Sequence, residues 1–204
     1  MRDVRVCVFG DSLVAGVGDS TELGWVGRVS ARTPNTTEMQ LTAYPLGVRG
    51  ESTEEIVVRI PLESAARFAR GDEHRIVISA GVNDAGRGVP PAHSAAALDF
   101  GLGSTDVPAL VVGPPPLGDA ALTARIAMVD QAFAGVCARR GVPYISTYER
   151  LLRRPTWRRA RADDGIHPDR SGYVMLARLV LDGGWFSWLG LPSTKPPIQQ
   201  SRTK

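Results

Sequence analysis

A chain of 204 residues and 21.9 kDa is the size of one domain, and a domain of that size buries roughly 70% of its unfolded surface without disulfide staples. Hydrophobic residues make up 43% and charged residues 22%, which excludes a largely disordered chain, and no run of about 18 apolar residues predicts a transmembrane helix. The net charge of +3 comes almost entirely from arginine, with only Lys195 and Lys204 as lysines; so small an excess argues against nucleic acid as a partner.

Apolar, β-branched runs alternate with helical patterns along the chain. Val4–Phe9 reads as the first strand, Gly24–Arg32 as a short helix and Met39–Ala43 as the second strand. Ser52–Arg70 is helical in pattern, with Ser52 or Thr53 as its cap and Pro61 kinking or splitting it. Arg75–Ala80 is a third strand, Pro90–Phe100 a helix and Pro108–Val112 a fourth strand, ended by Gly113 and Pro114–Pro116. Leu122–Arg140 is a long helix stopped by Gly141; Val142–Ile145 is a short fifth strand and Ser171–Leu181 a closing helix. Strands that are continuously apolar and separated by helices imply a parallel sheet covered on both faces. The expected fold is therefore α/β, a three-layer α/β/α sandwich on five parallel strands. Residues 1–191 form a single domain, and 192–204 form a polar, proline-containing tail.

The opening residues lack the apolar core of a signal peptide, so a cytoplasmic location is expected. Cys7 and Cys137 have no metal-ligand spacing and read as small buried side chains. The three histidines are scattered, and neither phosphate-cradling glycine motif occurs, so no metal and no cofactor is expected.

In open α/β sheets, sites form beyond the carboxyl ends of the strands. There the sequence places Gly10-Asp11-Ser12-Leu13, Gly47-Val48-Arg49-Gly50 and Gly81-Val82-Asn83-Asp84, and before the last helix Asp163-Asp164-Gly165-Ile166-His167-Pro168. A serine nucleophile needs a base. His74 precedes the third strand, at the wrong end of the sheet, and His93 has no acid close by in sequence; His167 has Asp164 three residues earlier, a spacing that lets a turn bring carboxylate to imidazole. Asp163 is the competing acid, one residue further back. An oxyanion needs fixed donors. The backbone N–H groups of Ser12 and Gly50 and the side-chain amide of Asn83 are the candidates.

These four blocks, in this order from residue 10 to residue 168, resemble those of the GDSL esterases and lipases, the SGNH hydrolase superfamily. One departure is Pro45, where that family often has Asn five residues before its glycine. The resemblance implies a flavodoxin-like α/β/α sandwich and hydrolysis of carboxylic esters through an acyl-enzyme. Ser12 is then the nucleophile, His167 the base and Asp164 its orienting acid, with Ser12, Gly50 and Asn83 forming the oxyanion hole. Members of the superfamily act on lipids, thioesters and acetylated sugars; no long apolar insertion here supplies a lid, so short acyl groups are expected. The partner is a small-molecule ester. Asp11, beside the serine, and Trp157 are expected substrate contacts.

Arg150–Arg161 holds six arginines. The ordinary reading is a solvated face; the functional one is a basic rim beside Asp164 and His167 that attracts anionic esters, with Trp157 as a stacking platform. Two other functions compete with the esterase: a non-catalytic esterase-like module binding an anionic partner through those arginines, and an acyltransferase using the same residues.

Overall fold

The computed structural model describes residues 1–192. Its centre is a five-stranded sheet of β1 (Arg2–Gly10), β2 (Met39–Gly47), β3 (Glu73–Ser79), β4 (Ala109–Val112) and β5 (Tyr144–Ile145). All pairings are parallel, in the order β2-β1-β3-β4-β5, which is the flavodoxin-like doubly wound order.

β1 lies between two strands, and its Val4, Val6, Cys7, Val8 and Phe9 are buried. That is why it reads as an unbroken apolar run. β2 continues to Gly47, beyond the Ala43 expected from sequence. Pro45 lies inside it and is tolerated because β2 is an edge strand, where a missing N–H costs no ladder bond.

Helices cover both faces, giving the expected three layers. On one side α2 (Gly24–Arg32) packs against α10 (Arg170–Val180); on the other α3 (Thr53–Val58), α6 (Pro91–Gly103) and α7 (Ala120–Arg140) pack together. Pro61 splits the long helical pattern as anticipated: α3 ends at Val58, and α4 (Ile60–Phe68) begins with Pro61 in its first turn. Ser52 caps α3, its N–H and Oγ–H donating to the Glu55 carboxylate at 2.7 and 2.8 Å, a device worth about 1 kcal/mol. α7 is capped by Asp119 and stopped by Gly141 at φ 67°. It is the one described helix long and apolar enough to cross a membrane, but Ile126, Val129, Phe133, Val136 and Cys137 face the core.

Short helices went unread in the sequence, among them α1 (Ser12–Ala15), α5 (Val82–Arg87), α8 (Tyr148–Leu152) and α9 (Pro155–Arg159). At four to six residues they are too brief to show a helical period. Cys7 and Cys137 are free and buried, and burial pushes their thiols up to about 11 and about 12. Trp25 and Trp185 are core residues, the latter donating to Thr33 Oγ1 at 2.8 Å. The expected tail, 192–204, lies outside the described residues apart from Pro192.

Candidate active site

Gly10 ends β1 where the chain turns sharply into α1. A Cβ there would lie 2.3 Å from Val14 Cγ2 and 2.5 Å from the Ser79 carbonyl, so only glycine fits. Asp11 caps α1, its Oδ1 accepting from Leu13 N–H at 2.8 Å. Ser12 is thereby the first residue of α1, just past the carboxyl end of β1.

The Asp164–His167 segment reaches the same edge from the start of α10. Its backbone is folded back on itself: Ala162 N–H donates to the His167 carbonyl at 2.9 Å, and Arg161 bridges to Pro168. Asp164 Oδ1 accepts from the N–H groups of Ile166 and His167, both at 2.9 Å, while Oδ2 lies 2.5 Å from His167 Nδ1. His167 Nε2 lies 3.0 Å from Ser12 Oγ. The imidazole thus links one carboxylate to one hydroxyl across 155 residues of sequence. The hydrogen bond to His167 leads in holding the Asp164 carboxyl down at about 2, so Asp164 stays ionised at any ordinary pH. Asp163 is exposed and makes no hydrogen bond to His167 among the described residues.

Gly50 sits in a tight turn closed by Glu51 N–H to the Val48 carbonyl at 3.4 Å. Its φ of 83° is the glycine requirement of a type II turn. A Cβ on Gly50 would meet nothing within 4 Å, so backbone conformation rather than room demands glycine here. Among the described residues neither Ser12 N–H nor Gly50 N–H donates to a protein acceptor. α5 holds the turn from its far side. Arg87 Nη2 donates to the Gly50 carbonyl at 2.7 Å and Nη1 to Glu55 at 2.8 Å. Asp84 accepts from Thr53 N–H and Oγ1–H at 2.9 and 3.0 Å.

Asn83 Nδ2 donates to Asp11 Oδ2 at 3.1 Å and to the Glu51 carbonyl at 2.9 Å. Both amide hydrogens therefore have partners already. An oxyanion would share one of them in a three-centre bond or displace the Glu51 carbonyl.

Two expected substrate contacts are corrected. Asp11 is 2% exposed, with its two oxygens turned to Leu13 and Asn83, so it holds neighbours rather than substrate. Burial raises its carboxyl, the Leu13 N–H and the charge of His167 pull it back, and it ends at about 6. Trp157 is 1% exposed and its indole N–H donates to the Pro116 carbonyl at 2.7 Å; it is core, not a platform for stacking. The other histidines lie elsewhere, His74 stacked on Phe68 and His93 beside Glu54.

The sequence reading missed Asp19. Its buried carboxylate accepts from Arg28, Thr21 and Gly24 N–H, tying down the loop after α1. The signal was present: an Asp two residues before Thr is a turn former. Tyr173 Oη donates to the Val17 carbonyl at 2.7 Å and joins that loop to α10. A depression of about 950 Å³ opens beside the Asp164 loop, lined by Gly18, Asp19, Asp163, Asp164, Asp169 and Arg170 among others; Ser12 is not in its wall. Among the described residues no three His, Cys, Asp or Glu side chains converge as a metal site.

A model of the GDSL-like lipase/acylhydrolase family matches residues 8–175. No curated protein matches the chain. A lipolytic protein of the G-D-S-L family from Veillonella parvula superposes with a TM-score of 0.70 at 22% identity, covering 88% of this chain and 97% of that one. An acetylxylan esterase from Geobacillus stearothermophilus gives 0.70 at 19% identity, covering 94% and 97%. A psychrotrophic esterase from Pseudoalteromonas gives 0.67 at 16% identity, covering 91% and 98%. At such identities the three structures speak for the fold, and the match over residues 8–175 decides the rest: the chain belongs to the GDSL-like lipase/acylhydrolase family and is a hydrolase.

Proposed function

We propose that the protein hydrolyses carboxylic esters of short acyl chains through a covalent acyl-enzyme. The observation that carries this reading is the hydrogen-bonded line from Asp164 Oδ2 to His167 Nδ1 at 2.5 Å and from His167 Nε2 to Ser12 Oγ at 3.0 Å.

Ser12 Oγ attacks the ester carbonyl carbon as its proton passes to His167 Nε2. The carbonyl oxygen becomes an oxyanion, received by the unpartnered N–H groups of Ser12 and Gly50, with Asn83 Nδ2 as third donor. Asp164 holds the imidazole so that Nε2 faces the serine, and its charge stabilises the imidazolium. The bond to the leaving oxygen then breaks, and that oxygen takes the proton from His167 to depart as the alcohol. Water attacks the acyl-enzyme, giving a proton to His167. The acyl–Oγ bond breaks, Oγ recovers the proton, and the acid leaves.

Short acyl groups are supported by the lack of a long apolar insertion between the sequence blocks. An acetyl ester is also what the name of the Geobacillus relative indicates for that protein.

The test is covalent labelling. A fluorophosphonate should modify the wild-type protein at Ser12, and Ser12→Ala should neither label nor turn over a chromogenic ester, a loss on the order of 10⁴ or more with an unchanged melting temperature. A Ser12→Ala protein keeping more than about a tenth of the activity would end this reading. An esterase-like module that only binds an anionic partner predicts no labelling of the folded wild-type protein. Acyl transfer predicts a new ester when alcohols are added.

A further inference from the structure

Arg150–Arg161 carries six positive charges in a chain whose net charge is +3. It takes in the end of α8, all of α9 and the step into the Asp164–His167 loop. Its exposed members mostly point into solvent, and Arg153 is paired with Glu149 at 3.3 Å. Arg161 is different. It is half-buried and packs over the Trp157 ring, 4.9 Å from the centroid, with Nη1 donating to the carbonyls of Trp157 and Ala160 at 2.8 and 3.2 Å. No carboxylate lies within salt-bridge distance of it among the described residues. A cation withdrawn from water is ordinarily paired. Burial accordingly pulls the Arg161 guanidinium below its usual range, with only a weaker pull from Asp169 in the other direction.

Arg161 and the exposed Arg158 line one cavity of about 480 Å³ together with Pro116, Tyr148, Asp119 and Gly165, among others. Gly165 lies between Asp164 and His167, so the cavity shares a wall with the acid–base loop. The hydroxyls are already committed: Tyr148 Oη donates to the Thr123 carbonyl at 3.1 Å and Thr123 Oγ1 to the Leu117 carbonyl at 3.0 Å. Asp119 is the one acid in the wall, and its Oδ1 accepts from Leu122 N–H at 2.8 Å as the cap of α7. Among the described residues the cavity therefore offers two guanidinium groups with unfilled donors beside one carboxylate, of which one oxygen is engaged as the helix cap.

We propose that this cavity receives an anionic group, a carboxylate or a phosphate, carried by the ester substrate, and that Arg161 and Arg158 make the protein selective for negatively charged esters. Arg161 is held by the ring and by two carbonyls, so its planar fork is oriented before the anion arrives. Arg158 adds a second charge from the exposed rim, and the arginines beyond it raise the local concentration of anions. The proposal names the substrate class of the esterase proposed above and rests on that reading.

The experiment compares an anionic with a neutral acetyl ester, 4-acetoxybenzoate and its methyl ester, with 4-acetoxyphenyl phosphate as the phosphate counterpart. Wild-type protein should show kcat/KM higher for the anionic esters by roughly tenfold, mostly through KM, because a charge-assisted hydrogen bond is worth about that factor. Salt should erode the preference. Arg158→Ala, exposed and remote from the core, should reduce it, and Arg158→Ala with Arg161→Gln should abolish it, read as the ratio of kcat/KM for the anionic to the neutral ester. Binding is measured separately on Ser12→Ala, which should hold 4-acetoxybenzoate more tightly than the methyl ester. Equal kcat/KM for charged and neutral esters, or a preference that survives the double variant, overturns the anion site and leaves the hydrolase reading intact. Charge-selective binding that depends on Arg158 and Arg161, without turnover of any ester, sustains the anion site and removes the proposed ester hydrolysis.

Discussion

Asp11 and Asn83, 72 residues apart in sequence, are joined by a hydrogen bond of 3.1 Å from the amide to the buried carboxylate. Asp11 also caps the helix that begins with Ser12. One carboxylate therefore sets both the start of the serine's helix and the orientation of the amide proposed as an oxyanion donor.

Asn83→Ala should lower kcat by roughly 10²–10³, about 2.7–4 kcal/mol, with KM within a few-fold, because an oxyanion donor is used fully only in the transition state. Asp84→Ala is the control. Asp84 ties down Thr53, whose N–H is buried, and its loss should cost stability, about 1–3 kcal/mol, by leaving that donor unpaired. Measuring kcat, KM and melting temperature on both decides the matter. A stability loss with unchanged kcat in Asn83→Ala would make Asn83 a turn-shaping residue only.

Arg87 is the positioning residue expected for the proposed Gly50 donor. It grips the Gly50 carbonyl and is itself braced by Glu55, which also holds Ser52. Releasing the turn lets its central peptide rotate, and the Gly50 N–H would then turn away from the proposed oxyanion position. Arg87→Ala should lower kcat on the order of tenfold with KM little changed. Arg87→Lys should recover part of that loss. A rise in KM at constant kcat would instead place Arg87 in substrate binding.

Asp164→Ala should lower kcat by about 10³–10⁴, whereas Asp163→Ala should stay near wild type. The physical ground is that Asp164 alone of the two contacts the imidazole, at 2.5 Å. Steady-state kinetics of the two variants on one ester test this; the reverse ranking would reassign the acid.

The pH dependence of stability separates Asp11 from Asp164. The Asp11 carboxyl is raised from 3.8 to about 6 in the folded protein. The folded state thus holds the proton more tightly than the unfolded state, and stability falls as pH rises from about 4 to about 6, by about 3 kcal/mol, then levels off. Asp164 is lowered to about 2, so its contribution is present above about 4 and is lost as pH falls toward 2. Denaturant titrations of wild type and Asp11→Asn should differ by an amount that changes through pH 4–6 in the variant's favour. A pH-independent difference would show that Asp11 ionises normally.

Most of the architecture was legible without coordinates because its signals are local. β1 and β3 are apolar runs, Gly141 and Pro61 break helices where helices end or begin, and Ser52 caps the helix that follows. The gathering of the proposed site residues was legible as well, since Ser12, Gly50, Asn83 and His167 each follow a strand or precede a helix at the one edge where doubly wound sheets build sites. Unread elements such as α1, α5, α8 and α9 are shorter than a pattern needs.

The sequence by itself determined the α/β class, the edge that carries the site, and the pairing of Asp164 with His167, because a three-residue spacing on a turn is enough to bring acid to imidazole. Only the tertiary structure decided the contacts made across long stretches of chain. Trp157, flanked by arginines, looks exposed in one dimension, yet packing against the Pro116 carbonyl buries it. Asp11 stands next to the serine but turns inward, because the helix cap and the Asn83 amide arrive from opposite sides. The Gly50 turn is held by Arg87 from another helix, and among the described residues Arg161 is left without a salt-bridge partner by the way α9 lies on the core. Burial and hydrogen-bond partners are set by which distant segments meet, and no local pattern of residue types records that.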